Sequence, residues 1–286
     1  MLAVIISGLA VGAVYAATAL AYNVMYSTSK VLSITTGHIC MLGGVFGAWF
    51  ITGLGLPVLV GLAGAVLVGG LFGWLTDLVA IRRVIARSDE HLWLLSTLAL
   101  ATMVQQAVAL WWGTEPRPFP RLIPQDYTAG ILDQKYWLPI GTTILLALGL
   151  ELFYRRTMYG KVFQAVSENA FAARARGVSA ARVRSASYVL AGAIGALAGF
   201  AAGQLTFAYF ALGLTLTLYG FIALAVGGLG SNLGAVVGGV ALGLLTAFAT
   251  YFVGGEYQQT IAVGLLILVL LLRPEGLFGA RKVRPV

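Results

Sequence analysis

The 286-residue sequence predicts an all-α membrane protein, a helical bundle that crosses the bilayer several times. Hydrophobic residues make up 59% of the chain and charged residues only 10%, which leaves too few charges to cover a water-facing surface. The apolar residues also lie in blocks, many of them close to the length of about 17–25 residues that crosses a hydrocarbon core. These blocks are continuous rather than alternating, so a β-barrel is excluded.

Nine apolar blocks follow one another along the chain, and we expect residues 1–286 to form a single transmembrane domain. The seventh block has only fourteen residues, so it could either cross the bilayer or enter and leave on one side. The sequence therefore predicts eight or nine transmembrane helices. The blocks are Leu2–Tyr22, Ser33–Ile51, Pro57–Ile81, Leu92–Trp112, Trp137–Tyr154, Tyr188–Phe210, Leu216–Leu229, Gly234–Val253 and Tyr257–Leu272.

Basic residues collect in the loops that the positive-inside rule assigns to the cytoplasm. Arg82, Arg83 and Arg87 mark one such loop, and residues 155–187 form a longer one with seven basic residues and one acidic residue. Nine spans then place the N-terminus outside and the C-terminus in the cytoplasm. The loop 113–136, in which three acidic residues balance three basic ones, lies outside.

Several classes of function are disfavoured by what the sequence lacks. Gly160-Lys161 is followed by Val162, so it is not a phosphate-binding loop that could hydrolyse a nucleotide. His38 and His91 belong to no ligand-spaced cluster, and no paired carboxylates lie within a predicted span, so we expect neither a metal site nor an enzyme. The basic clusters are not interleaved with aromatic residues, which disfavours nucleic acid as a partner.

Uncharged polar side chains within the predicted spans either bond across helices or line a wet pathway. Both alternatives stay open for each residue, and the set as a whole predicts a substrate pathway. Its members lie where the first two spans approach the cytoplasm and in the fourth span, and they are Asn23, Tyr26, Thr35, Thr36, His38, Gln105 and Gln106.

Two acidic residues near the ends of spans are predicted to form ion pairs rather than to bind substrate. Asp77 lies a few residues before Arg82 and Arg83, and one of these arginines is its expected partner. Glu151 precedes Arg155 by four residues, the spacing of a helical ion pair.

The basic loop contains a helix-favouring, alanine-rich stretch, Gly160–Ser187. We predict two short helices there, with a break at Gly177 and with Ser179 capping the second helix. Their apolar stripe consists of small side chains, whereas a helix lying on lipid needs Trp, Phe or Leu. We therefore expect the stripe to dock onto a soluble partner; its residues are Val162, Ala165, Val166, Ala170 and Ala173.

Four parts of the sequence resemble the LivH-type permeases, the membrane subunits of ATP-binding-cassette importers for branched-chain amino acids. They are the opening span Gly8–Tyr26, the stretch VLSITTGHICMLGG at Val31–Gly44, the segment Gly160–Gly203, and the pair Gly227–Gly239 and Arg273–Gly279. The resemblance covers nearly the whole chain in the family's order.

The resemblance implies a bacterial inner-membrane importer with a second permease subunit, identical or homologous, and two cytoplasmic ATPase subunits that bind ATP and Mg²⁺. It also implies an external solute-binding protein that delivers the cargo. No cofactor is expected in this chain. The resemblance further implies that the basic loop contacts the ATPase, through the residues Gln164, Glu168, Asn169, Ala172, Ala173, Arg174 and Gly177.

The sequence departs from the family pattern at four positions. Phe171 stands where the family's coupling loop has a glutamate, and Ser33, Thr36 and His38 replace other residues in the second stretch. The cargo therefore stays open between a branched-chain amino acid and a urea, amide, or aromatic or other carboxylic acid. The alternative function is an autonomous secondary transporter or channel, which would need coupling-ion ligands at mid-depth.

Overall fold

The structure is a computed structural model that describes residues 1–85, 92–120 and 133–279, so Arg87 and His91 lie outside the described residues. The described parts contain helices, turns and one isolated β-bridge, which confirms the all-α class. The helices are α1 Leu2–Ser29, α2 Thr35–Ala48, α3 Val58–Thr76, α4 Arg82–Ile85, α5 Leu92–Trp112, α6 Gln134–Arg156, α7 Met158–Glu168, α8 Ala170–Ala175, α9 Ala180–Leu205, α10 Leu212–Gly227, α11 Asn232–Phe252 and α12 Gln258–Leu272.

Two π-helical turns and one 3₁₀ turn continue these helices. The π turn Trp49–Gly53 extends α2, and the π turn Asp77–Ile81 joins α3 to α4 in one helix, Val58–Val84. The 3₁₀ turn Gly255–Tyr257 precedes α12.

Within the described residues, seven helices are long and apolar enough to cross a membrane, so the chain is a multi-pass membrane protein. They are α1, the continuous helix Val58–Val84, α5, α6, α9, α11 and the helix Gly255–Leu272. The predicted total of eight or nine depends on the shorter helices α2 and α10.

Helix α10 is anchored by backbone hydrogen bonds near both of its ends. Just before its start, Ala208 forms a β-bridge with Arg117, with N–O distances of 2.9 and 3.1 Å. Near its other end, the carbonyls of Val226 and Gly227 accept hydrogen bonds from the backbone of the C-terminal segment 273–279.

The centre of the bundle is formed by α1 and α9, whose residues are mostly buried. Helix α1 packs against α6, α9, α10 and α11, while α9 packs against α2, α3 and α6 as well. Helices α3, α5, α6 and α12 lie at the periphery and leave large apolar side chains exposed, as lipid-facing helices do.

Glycines spaced by four residues, such as Gly8 and Gly12 or Gly195 and Gly199, recur in the apolar blocks of the sequence, a spacing that predicts close helix packing. In the structure, glycines do allow the central helices to approach until their backbones touch. Gly12 and Gly243 face each other across α1 and α11, and Gly199 of α9 lies against the backbone of Cys40 in α2. Further glycine contacts join α3 to α9 and α10 to α11, through Gly69, Gly73, Gly192, Gly227, Gly234 and Gly238.

Most of the exposed cationic side chains in the described part of the chain lie at one end of the bundle, which we call the basic end. It comprises α4, α7, α8, the last turn of α6 and the first turn of α9. The predicted pair of Glu151 with Arg155 is confirmed there, as an exposed i,i+4 ion pair. The basic end carries the exposed residues Arg82, Arg83, Arg155, Arg156, Lys161, Arg174, Arg176 and Arg182.

Candidate functional site

The candidate pathway residues centre on a polar contact between α2 and α5. His38 Nε2 lies 3.2 Å from Gln105 Oε1, and only 1% of the His38 surface is exposed. Gly213 of α10 packs on the other side of the ring, where an added Cβ would come within 2.9 Å of the His38 Cδ2 atom. His38 Nδ1 has no hydrogen-bond partner among the residues that the structure describes. The half-buried Gln105 side chain therefore covers a buried histidine whose hydrogen-bonding capacity is only partly used.

An apolar cleft of about 580 Å³ adjoins this polar pair. It lies between α2, α3 and α5, and two of its lining residues, Leu42 and Val108, follow His38 and Gln105 by about one helical turn. The polar pair does not line this cleft but lies about one helical turn from it, and the cleft is open to the outside of the bundle, where Leu71 and Trp74 are exposed. The cleft is also lined by Phe46, Val68, Phe72, Val104 and Trp111.

The hydroxyl groups before and within the first turn of α2 bond to near neighbours. Ser33 Oγ and Thr35 Oγ1 are 2.7 Å apart, and the Thr36 hydroxyl donates to the Ser33 carbonyl at 2.9 Å. Thr35 and Thr36 are fully buried. The Thr36 hydroxyl also lies 3.5 Å from the Met25 Sδ of α1. These bonds hold the start of α2 and join it to α1.

Asn23 lies elsewhere, at the turn between α10 and α11. Its Nδ2 donates to the Asn232 Oδ1 at 2.7 Å, and its Oδ1 accepts from the Gly230 N–H at 2.9 Å. Tyr26, one turn further along α1, has the Lys30 ammonium 5.6 Å from its ring centre. The structure therefore places Asn23 and Tyr26 at the end of α1, and Asn23 ties α1 to α11.

Gln106 is exposed on the outer face of α5, near the middle of that helix. Thr102, one turn earlier, is also exposed, and its hydroxyl donates to the Ala99 carbonyl of its own helix at 2.9 Å. An exposed amide at membrane depth is unfavourable against lipid, so this face of α5 needs protein or water beside it. The set of seven candidates thus divides into separate groups rather than one site.

The predicted partner of Asp77 was wrong. Asp77 is 1% exposed and bonds to Arg184 of α9, whose Nε lies 2.8 Å from the Asp77 Oδ1. Arg82 and Arg83 remain exposed instead. Because α9 packs along α3, it brings Arg184 to Asp77 although 107 residues separate them, and no local spacing could indicate this.

The predicted break at Gly177 is confirmed, because α8 ends just before it and Gly177, with φ +84°, makes the turn from α8 into α9. The expected number of helices was wrong, because the segment before Gly177 is itself divided into α7 and α8. This additional break is at Asn169, where the Asn169 Oδ1 accepts from the N–H groups of Phe171 and Ala172 at 3.0 Å. Ser179 precedes α9, but its side chain makes no capping hydrogen bond. We call α7 and α8 together the hairpin.

The hairpin is held to the bundle by a small apolar core of its own. Phe163 and Val166 of α7 pack there with Ala173 of α8 and Val183 of α9. Val166 and Ala173 belong to the stripe that was expected to dock onto a partner, so that expectation was wrong for them. The outward apolar residue of α8 is instead Phe171, which is 80% exposed.

The other candidate coupling residues surround Phe171 on the hairpin surface. The Gln164 Nε2 donates to the Glu168 Oε1 at 3.2 Å, and both residues are exposed. Ala172 and Arg174 are exposed on α8, whereas Ala173 is buried. Helix α8 thus presents one large aromatic ring among polar and cationic groups, and Tyr159 is a second exposed ring at the start of α7.

Comparison with known proteins identifies the family. Residues 4–270 match the family described as the branched-chain amino acid transport system / permease component. The chain belongs to this family. It is 28% identical to the high-affinity branched-chain amino acid transport system permease protein BraD of Pseudomonas aeruginosa, over 99% of this chain and 97% of that protein. It is also 28% identical to the permease protein LivH of Escherichia coli K12, with 98% and 96% of the two chains covered.

A solved structure shares the fold of this chain. PsaBC from Streptococcus pneumoniae, in complex with Fab, superposes with a TM-score of 0.53, covering 95% of this chain and 92% of that chain at 13% sequence identity. At this identity the likeness concerns the fold alone. The family description names a transport role rather than an enzymatic one.

Stretches that carry the family resemblance meet at the basic end of this permease. The backbone N–H groups of Leu277 and Phe278 donate to the carbonyls of Val226 and Gly227 at 2.9 Å, which docks the C-terminal segment on the α10–α11 turn. Asn23 binds the same turn from α1. Sequence reasoning grouped Asn23 with the pathway and missed its partner Asn232, although both stretches belong to the resemblance.

Proposed function

We propose that the chain is the transmembrane permease subunit of an ATP-binding-cassette importer in a bacterial inner membrane. The observation that carries this proposal is the family match over residues 4–270. The cargo is a branched-chain or other hydrophobic amino acid, or a related small polar solute, delivered by an external binding protein. A second permease subunit and two cytoplasmic ATP-binding subunits complete the importer, and ATP and Mg²⁺ bind to those ATPase subunits.

The basic end faces the cytoplasm in this proposal, because cationic loops are retained on that side. The N-terminus then lies outside and the C-terminus inside. Helices α2 and α10 join the seven longer helices as spans, which gives nine. The hairpin lies at the cytoplasmic surface, where an ATPase subunit can reach it.

The His38–Gln105 pair and the adjoining cleft are the proposed cargo contact. A hydrophobic amino acid needs both a polar partner and apolar surface; the polar pair offers the first, and the open cleft beside it would offer the second once another permease subunit covers it. The exposed amide of Gln106 lies on the same helix, and a second permease subunit facing α5 would remove it from lipid. Cargo would therefore pass between the two permease subunits.

Phe171 is the proposed anchor for the ATPase. A large exposed aromatic ring among polar groups is typical of the residues that dominate protein interfaces. Met158 and Tyr159 are also exposed, but they begin α7 directly after the last turn of α6, near the level of the lipid headgroups. An isolated ring on α8 suits a pocket in a protein better than a continuous lipid surface.

Reconstitution with the ATPase tests this proposal. In proteoliposomes that contain the purified importer, uptake of radiolabelled leucine should require ATP and the binding protein. Phe171→Ala should raise the Kd of the permease for the ATPase at least about tenfold, since interface anchors contribute about 2 kcal/mol or more and about 1.4 kcal/mol is tenfold in Kd. Its thermal unfolding should change little, because the side chain is exposed.

Tyr159→Ala is the matched control, because Tyr159 is another aromatic residue of the hairpin, 76% exposed. It should leave the Kd for the ATPase within about threefold of the unmodified protein. Equal effects of the two substitutions would contradict the assignment of Phe171. Uptake without any ATPase subunit would contradict the importer itself and favour a secondary transporter.

Gln105→Leu tests the cargo contact. It should reduce the uptake rate by roughly tenfold or more, because the cargo loses a polar partner and His38 Nε2 is left unpaired, each worth about 1–3 kcal/mol. Thr102→Val is the control, since the Thr102 hydroxyl already bonds within its own helix. If Gln105→Leu and His38→Gln both retain the normal uptake rate and substrate range, these residues only pack the bundle.

A further inference from the structure

The first two turns of α9 hold buried polar contacts with α3. The Asp77 carboxylate, 1% exposed, accepts a hydrogen bond from the Arg184 Nε at 2.8 Å and another from the Ser185 hydroxyl. The Arg184 side chain is itself 15% exposed. Both oxygens of the carboxylate therefore have a donor from α9, and the negative charge is balanced inside the protein.

The same stretch of α9 is bonded to α1. The Ser187 hydroxyl, fully buried, lies 2.5 Å from the Thr28 hydroxyl, and the Tyr188 hydroxyl donates to the Ser29 Oγ at 3.4 Å. Residues 184–188 thus join α9 to two other helices. We call this stretch, with its partners Asp77, Thr28 and Ser29, the polar junction.

The neighbouring residue of α9 connects the polar junction to the hairpin. Val183 packs in the hairpin core against Phe163, Val166 and Ala173. The chain between the end of α8 at Ala175 and the start of α9 at Ala180 is also short. The beginning of α9 is therefore attached to the hairpin through Val183 and to α3 and α1 through the residues that follow.

Asp77 occupies a special position on its own helix. It is the first residue of the π turn Asp77–Ile81, which interrupts the α-helical pattern between α3 and α4. A π turn is a local irregularity that frequently accompanies a functional site. Arg184 therefore holds the Val58–Val84 helix at the point where its regular hydrogen bonding changes.

We propose that the polar junction transmits the movement of the hairpin to α3 and α1, and that Asp77 is the positioning residue of this link. This inference rests on the importer function proposed above. A buried ion pair suits the role because separating its charges leaves one of them uncompensated in a medium of low dielectric constant. The two helices are therefore held in one discrete arrangement and move together. An exposed pair such as Glu151 with Arg155 exchanges its partner for water and has no such effect.

The experiment measures uptake and ATP hydrolysis on the same proteoliposomes, with the complete importer. Their ratio, cargo molecules taken up per ATP hydrolysed, does not depend on how much folded protein is present. In Asp77→Asn we expect this ratio to fall about tenfold while hydrolysis continues, a change within the range known for residues that carry coupling. Ser185→Ala, which removes one donor and no charge, should lower the ratio about threefold. Glu151→Gln, at the exposed pair, should leave it unchanged.

The double substitution Asp77→Asn with Arg184→Gln covers the case in which Asp77→Asn does not fold. It removes both charges and leaves none unpaired, so it should yield folded importer with the same loss of coupling. A normal ratio of uptake to hydrolysis in Asp77→Asn would overturn the role of the polar junction. If Asp77→Asn does not fold, a normal ratio in both the double variant and Ser185→Ala would overturn it. Hydrolysis without uptake in the unmodified importer would instead refute the proposed function.

Discussion

Replacing Gly199 by alanine should prevent the bundle from reaching its folded state in useful yield. A Cβ at this position would lie 1.6 Å from the carbonyl oxygen of Cys40 and 2.4 Å from its carbonyl carbon. These are backbone atoms of α2, so no side-chain rotation can make room, and α2 and α9 would have to separate. Overpacking usually costs about 1–3 kcal/mol, and a backbone clash in the centre of a domain with only about 5–15 kcal/mol of stability should cost more.

The measurement is the yield of monodisperse protein in detergent together with its thermal unfolding midpoint. Gly264→Ala on α12 is the matched control, because an added Cβ there would meet no atom within 4 Å. Alanine is also favoured over glycine within a helix by about 1 kcal/mol, so the control should be as stable as the unmodified protein or more so. Equal midpoints for the two variants would show that the α2–α9 contact is looser than the structure has it.

Gly177→Pro should abolish ATP-dependent uptake while the chain still inserts and folds. Gly177 has φ +84°, whereas proline requires a φ of about −65°. Its N–H also donates to the Arg174 carbonyl at 2.9 Å, and proline has no N–H to donate. The chain would leave α8 in another direction and displace the hairpin from the start of α9. The spans do not depend on this turn, so the membrane part should keep its structure.

The loss of coupling is measured as cargo uptake per ATP hydrolysed in proteoliposomes. Circular dichroism checks that the variant is folded. Gly177→Asn is the control, since asparagine tolerates a positive φ better than most residues and the space around Gly177 is open, with no atom within 4 Å of an added Cβ. It should retain most of the uptake. Normal uptake by the proline variant would contradict the role of the hairpin in coupling.

Much of the fold could be predicted because the signals are local. Hydrophobic blocks of spanning length identify helices, and glycines spaced by four identify the faces on which helices approach closely. Glu151 and Arg155 pair as predicted because a helix always brings residues four apart together. The partner of each glycine face could not be predicted in this way, since Gly12 meets Gly243 only after the whole chain has folded.

The hairpin was predicted only in part. Gly177 ends a helix, as glycine commonly does and as expected, but Asn169 also breaks the segment before it, by capping α8 with its side chain. The small-residue stripe has helical spacing, as predicted, but part of it packs within this chain rather than against a partner protein. Val166 and Ala173 face Val183 of the same chain rather than a partner, so the outward residue is Phe171.

The candidate pathway residues were likewise predicted only in part. Polar residues within apolar blocks could be recognised from the sequence, and His38 and Gln105 do come together in the structure. Asn23 was placed with them because it is close to them along the chain, but its side chain bonds to residues more than two hundred positions away. A polar group in a membrane takes whichever partner the packed helices bring to it, and sequence distance carries little information about that partner.

The sequence by itself determined that this protein is a multi-pass helical bundle, which of its ends is basic, and which helix faces carry small residues. These properties follow from hydropathy, charge and helical periodicity, all of which act over a few residues. The tertiary structure alone decided that Arg184 neutralises Asp77, that Asn23 closes the α10–α11 turn, and that Phe171 faces outward. Such contacts depend on which helices become neighbours, and that is set by the packing of the entire chain.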